Sequence, residues 1–548
     1  MRNLVLPLLF LCLFTSAFSQ QSDHRIKMDH VEKPAALVPG LGSHHHPVST
    51  KNAEAQEFFD QGFRFVYAFN HDEAVRSFKR AAALDPQMAM AQWGIALALG
   101  PNINLDVDPA REKAAYEAVQ KALALAARAP EIERAYIEAL AKRYSIDPNA
   151  DLKQFAVAYK NAMGELVRRY PDDLDAATLY AEAAMDLRPW QLWTSDGKPA
   201  EGTEEIVAVL EAVLRRDPNH IGAIHYYIHA IEASPNPERA LAYAPKLAES
   251  VPAAGHLVHM PAHIYQRTGD YQLAANSNKA AAKADEAYFK AHGTTGLYPL
   301  MYYAHNLHFE AYAHGMSGRY ADGISVAEKL ATFVRPHVKE MPMAEGFMPA
   351  PTLIQLRFQK WNEILALPKP DASLPATTAF WHFARGVSFS ATGRLENAAS
   401  ERSAFLNAVK AVRADATIGL NSTSKVFKIA ENVLEASIAE AKRDSGTAIE
   451  FLRKAVEAED SLSYDEPPGW FMPVRETLGA ALLKSGEYAG AEKVFRADLE
   501  KNKRNGRSLF GLKEALRAQD KTYAAALVQR EFESAWRHAD TKLSLEVP

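Results

Sequence analysis

The sequence predicts an all-α chain built from repeated helical hairpins. Three observations carry this: small and aromatic residues return at fixed offsets, glycine-centred turns separate them, and histidines in the middle recur with the same spacing. Gly62 is followed by Ala74 at twelve residues, Phe78 at sixteen, Ala81 at nineteen and Pro86 at twenty-four. Gly479 is followed by Ala491 at twelve and Phe495 at sixteen, Gly386 by Ala398 at twelve, and Ala262 by Ala274 at twelve and Ala281 at nineteen. Ile228 is followed by Ala240 at twelve, Leu247 at nineteen and Pro252 at twenty-four.

A small residue lets two helices approach, an aromatic fills the space beside it, and a proline ends the second helix. Turn signals fall between the helices at Thr268-Gly269-Asp270, Ser317-Gly318-Arg319, Thr392-Gly393-Arg394 and Ser485-Gly486-Glu487. The pattern resembles the tetratricopeptide repeat, a helix–turn–helix unit of about 34 residues. It recurs between about residues 50 and 515, and implies a helical-hairpin solenoid without naming a function. Segments 187–203 and 282–303 are too long for simple inter-repeat turns, and such insertions often lie on the binding face.

The ends are different in kind. Met1-Arg2-Asn3, an apolar run from Leu4 to Phe14 and Ala17-Phe18-Ser19 have the order of a secretory signal peptide. The expected organisation is a signal over 1–19, an extended leader over 20–50, the helical array over 51–539 and a loose tail over 540–548, in a periplasmic or secreted protein. The apolar run is short for a membrane span, and no later stretch qualifies. Cys12 is the only cysteine and lies in the signal, so the mature chain offers no disulfide, thiolate ligand or cysteine nucleophile. With 62 Lys and Arg against 67 Asp and Glu, and a net charge of −5, there is no electrostatic case for nucleic acid.

The histidines carry the chemistry. His225 and His229 recur 34 residues later as His259 and His263, and His256 and His259 recur 49 residues later as His305 and His308. On helices at about 221–233, 255–267 and 304–316, spacings of three and four put each set on one face. The resemblance places these positions on the concave side of the array. Facing helices lie about 8–10 Å apart, a gap that two imidazoles can span around one ion. Imidazole without thiolate suits Zn, Cu, Fe or Ni, and export favours Zn or Cu. Met341, Met343 and Met348 add a weak Cu(I) signal, methionine being also a common gap-filler.

Glu182 and Asp186, four apart on the preceding helix, are candidate oxygen ligands or groove residues, and Glu310 is a candidate base. Trp190 and Trp193 either wall the groove or anchor their loop. The loop Tyr464 to Trp470, followed by Arg475 and Glu476, is a candidate ligand contact. His44-His45-His46 could fold back as ligands or stay solvated. Asn70 and His71 sit at the first hairpin turn, where such residues also cap helices. Two classes of function follow: a module binding a protein, peptide or small molecule in the groove, with or without metal, and a metal-dependent hydrolase or oxidoreductase. The chain has no HExxH, phosphate loop, nucleophile elbow or dinucleotide fingerprint.

Overall fold

The computed structural model describes residues 35–147, 149–293 and 296–544; the signal-like segment 1–19 lies outside them. The described residues form an all-α array of antiparallel hairpins. Ala53–Tyr67 pairs with His71–Leu84, Pro375–Ala391 with Leu395–Ala411, Thr423–Ala441 with Ser445–Asp460, and Val474–Lys484 with Tyr488–Lys501. The strands found among the described residues are the two-residue pair Thr417–Ile418 and Asn421–Ser422, joined at Gly419 with φ +56°. This hairpin is a small exception to the sheet-free expectation.

The sixteen-residue offset between glycine and phenylalanine has a direct cause. A Cβ on Gly62 would lie 2.8 Å from the Phe78 ring, and one on Gly94 would lie 2.5 Å from it. Phe78 is therefore clamped between two helices that glycine allows to come close. Phe495 is held the same way between Gly479 and Gly511, at 2.5 and 2.2 Å.

The middle of the chain departs from regular hairpins. The expected helix at 255–267 is two pieces, Gly255–His259 and Pro261–Thr268, broken at the proline, which lacks an N–H. Part of the expected insertion at 282–303 is helical: Tyr271–His292 runs on, and a π-helical turn at Pro299–Tyr303 leads into Ala304–Met316. The 187–203 insertion is a loop closed by pairing of Trp193 with Pro199.

Two apolar cores flank this middle, one running from Ala35 to Ile264 with Tyr302, the other from Tyr271 to Val528. The ends are tied down. In the leader, the Gln61 side chain accepts from Val38 N–H and donates to Ala36 O, and Ala253 N–H donates to Gly40 O. At the other end, the Asp540 carboxylate caps Tyr320–Val334 by accepting from Tyr320 N–H at 2.8 Å and Ala321 N–H at 3.0 Å. Residue 540, placed by the sequence in a loose tail, is thus a docked cap.

Candidate metal centre

Six of the seven repeat-locked histidines meet in the interior, where the two cores adjoin. His225, His229, His256, His259 and His263 are between 0 and 5% exposed. They form a buried cluster instead of the wall of an open concave groove. His225 and His229 come from Ile221–Ile231, His256 and His259 from Gly255–His259, His263 from Pro261–Thr268 and His305 from Ala304–Met316.

The cluster divides into two sets of three. Ligand nitrogens of His225, His229 and His256 lie within 4.8 Å of one another, as do those of His259, His263 and His305. The sets touch through the rings of His229 and His263, 5.3 Å apart, and of His256 and His259, 5.8 Å apart.

Four of the rings have their tautomer fixed by an acceptor at Nδ1. His225 Nδ1–H donates to Tyr67 O at 2.7 Å, and His229 Nδ1–H to Glu232 Oε1 at 2.9 Å. His259 Nδ1–H donates at 2.7 Å to Asn278 Oδ1, whose own amide is oriented by donating to Ala274 O. His263 Nδ1–H donates to Glu232, and Glu466 forms an ion pair with the same nitrogen. With the proton on Nδ1, Nε2 of His225, His229 and His259 each presents a lone pair to the centre, and Nε2 of His263 does so once that ring is neutral. Nε2 of His259 lies 2.7 Å from Nε2 of His263 and 3.2 Å from Nε2 of His305, and Nε2 of His225 lies 3.1 Å from Nε2 of His256. His229 Nε2 is buried without any partner. The rings of His256 and His305 have no fixed tautomer, so each can donate Nε2–H to its neighbour; where neither nitrogen of a pair carries a proton, a cation between them is needed to offset the lone-pair repulsion.

Electrostatics favour neutral rings nearly throughout. Burial pushes His225, His256, His259 and His305 well below the usual imidazole range and lowers His229 as well. His263 is the exception. Burial would depress it, but Glu466 and Glu232 outweigh that and push it up to about 10. Burial raises Glu466 to about 8, while His263 and His229 overcome the same effect at Glu232 and hold it down at about 2.

Other candidates lie elsewhere. The His308 ring stacks on Phe471 at 5.1 Å and meets Phe347 edge-on at 5.2 Å, so it faces away from the converging nitrogens, and burial lowers it to about 3. Asp186 pairs at 2.5 Å with Arg143, and Glu182 is buried near both; neither belongs to a three-histidine set. Glu310 approaches His314 at 3.6 Å. Arg475 is engaged by Asp460 at 2.6 and 2.9 Å, in the last hairpins. Trp193 anchors its loop, donating from Nε1 to Ala230 O at 2.7 Å, whereas Trp190 meets the His229 ring edge-on at 5.6 Å. His71 Nε2 accepts from Asn102 Nδ2–H over 3.4 Å, and Asn70 flanks His71–Leu84 without a side-chain cap bond. Met343 belongs to the turn at Pro342–Phe347, which Met341 precedes and Met348 follows.

The leader histidines fold back onto a different centre. The buried Asp175 receives His44 Nε2 at 3.0 Å, His46 Nδ1 at 2.7 Å and Tyr67 OH at 2.7 Å, with His220 Nε2 at 3.2 Å, while His45 pairs with Asp60 at 2.7 Å. His220 Nδ1 already accepts from Ala223 N–H, which puts the proton of its neutral ring on Nε2. That nitrogen faces Asp175 at 3.2 Å, and His44, His46 and Tyr67 make the group a hydrogen-bonded hub. Against the cost of burial, His220, His44 and His46 hold Asp175 well below the carboxylate range.

Sequence reasoning missed Glu232, Asn278 and the Tyr67 carbonyl. Glu232 had a signal, standing three residues after His229. Asn278 and Tyr67 had none, because they reach the histidines only through packing.

No protein-family model and no curated protein matches this chain. Solved structures similar to it are the tetratricopeptide domain of P58(IPK) (14% identity, 86% of this chain and 99% of that one, TM-score 0.23), human IFIT1 as a dimer with m7Gppp-AAAA (12%, 90% and 92%, 0.33) and yeast Tom70 (10%, 87% and 96%, 0.31).

Proposed function

We propose that the protein is a two-metal protein. One transition-metal ion is held by Nε2 of His225, His229 and His256, a second by Nε2 of His259, His263 and His305, and the helical array is the scaffold that fixes both. The observation that carries this is the fixing of four tautomers by Tyr67, Glu232, Asn278 and Glu466, which leaves lone pairs converging in a buried space. Metal-bound histidines are oriented by such outer hydrogen bonds. An all-nitrogen donor set favours Zn or Cu over hard cations. Three protein ligands per ion leave a coordination position open, as in catalytic sites, so the reading extends to a metal-dependent hydrolase or oxidoreductase. The signal-like residues 1–19 support an exported protein that acquires its ions outside the cytoplasm.

The test is metal content in protein purified without a histidine tag. Two ions per chain are expected in the parent, and one in the variant carrying both His225→Ala and His256→Ala. An unchanged metal content in that variant would rule out the assignment. A metal-free reading rests on His263: protonated between Glu232 and Glu466, it could fill the lone-pair gap with a proton. Absence of bound ions in the parent would favour it.

A further inference from the structure

A chamber of about 620 Å³ lies beside the histidines, bounded by the 101–107 loop, Leu152–Arg169 and the 186–191 loop. Its size falls in the range of small-molecule sites. A separate small void of about 20 Å³, room for roughly one water-sized molecule, has Ile103 and Trp190 in its lining as the chamber does, together with His229 and Glu232. His229 Nε2 is the ligand nitrogen without a partner. Trp190 therefore stands between the chamber and the candidate metal pair. It holds φ +59°, a left-handed conformation costly for a bulky residue and frequent at functional positions.

The lining selects a ligand class. Leu152 and Leu420 stand 44% and 45% exposed on the chamber's wall, giving it an apolar side open to solvent. Trp190 offers an aromatic surface. Two cations, Arg143 and Lys153, are set against three acids, Asp106, Glu112 and Asp186, so no net positive charge draws an anion. Hydrogen-bonding capacity remains: the Arg143 and Asp186 side chains are 4% and 6% exposed, and Asp186 Oδ1 and Arg143 Nη1 lack partners.

We infer that this chamber binds a neutral aromatic molecule with a hydroxyl group, of the phenol class, its ring against Trp190 and its reacting end toward His229. The inference rests on the two-ion reading for the chemistry it serves, but the chamber can be tested by itself. Calorimetric titration of the full chain with p-cresol, and with benzoate as the anionic counterpart, reads the chamber; metal content reads the histidines. p-Cresol is expected to bind at least tenfold more tightly than benzoate. Ala156→Trp, which fills the chamber from the helix side, and Trp190→Ala are each expected to weaken p-cresol binding at least tenfold, with Ala156→Trp leaving metal content unchanged. Equal affinity for benzoate, or p-cresol binding unaffected by both variants, would overturn the inference. Binding that behaves as expected in a chain without metal would keep the ligand class and overturn its link to the ions.

Discussion

Glu232 is the residue on which both histidine sets depend, since one carboxylate receives Nδ1–H of His229 and of His263. Replacing it by Gln keeps the shape but removes the charge and one acceptor. Loss of such an outer partner lowers metal affinity by about 10–100-fold, and competition with a chelating indicator should show this for Glu232→Gln. A second consequence concerns the proton on His263. Because Glu466 and Glu232 push His263 up to about 10 against the effect of burial, the metal-free ring is charged at pH 7. Ligation needs neutral imidazole, so metal uptake at pH 7 should release about one proton per chain, and affinity should keep rising with pH well above 6.5, toward 10. A pH indicator in weakly buffered solution measures the release; a value near zero would contradict the charged state. At this scale the repetition of the histidines pointed to the six that cluster, the candidate ligands. It misplaced His308, because spacing of three from His305 turns its ring toward Phe347 and Phe471, a difference of facing that periodicity does not resolve.

The helical hairpin is the element whose logic was most legible. Gly62 with Phe78, and Gly479 with Phe495, are pairs in which the absent side chain of one residue is the space for the other. Phe495 is 2% exposed and clamped on both sides, so Phe495→Ala should cost about 3–5 kcal/mol through lost burial and a cavity. Chemical denaturation monitored by circular dichroism checks this, and a loss below about 1 kcal/mol would mean that the clamp is not tight. The elements that carry the site were less legible. Pro261 divides one histidine helix, and residues 282–292 extend Tyr271–His292 where an insertion was expected. Neither effect belongs to the repeat: the first follows from the missing N–H of Pro261, and the second is a helix that runs on beyond the repeat's length.

At the scale of the whole molecule, the candidate site exists because distant parts of the chain meet. Glu466 reaches His263 across about two hundred residues, and Tyr67 reaches His225 across a separation of 158. The array supplies this by curving until late turns meet early ones: Arg504 pairs with Asp270, and Asp540 caps Tyr320–Val334. The sequence announced the solenoid because each repeat is a local unit. It placed the histidines on a concave wall for the same reason, since a repeat pattern describes neighbours and carries no information on how far the array closes. Closure turns that wall into an interior, which dehydrates the imidazoles and keeps all but His263 neutral, the state in which they bind a metal. The most direct measurement is anomalous diffraction from crystals of tag-free protein at the absorption edge of the bound metal. Two peaks are expected, one among Nε2 of His225, His229 and His256 and one among Nε2 of His259, His263 and His305, each about 2.0–2.1 Å from its nitrogens. A single peak, peaks elsewhere, or none would contradict the two-ion reading.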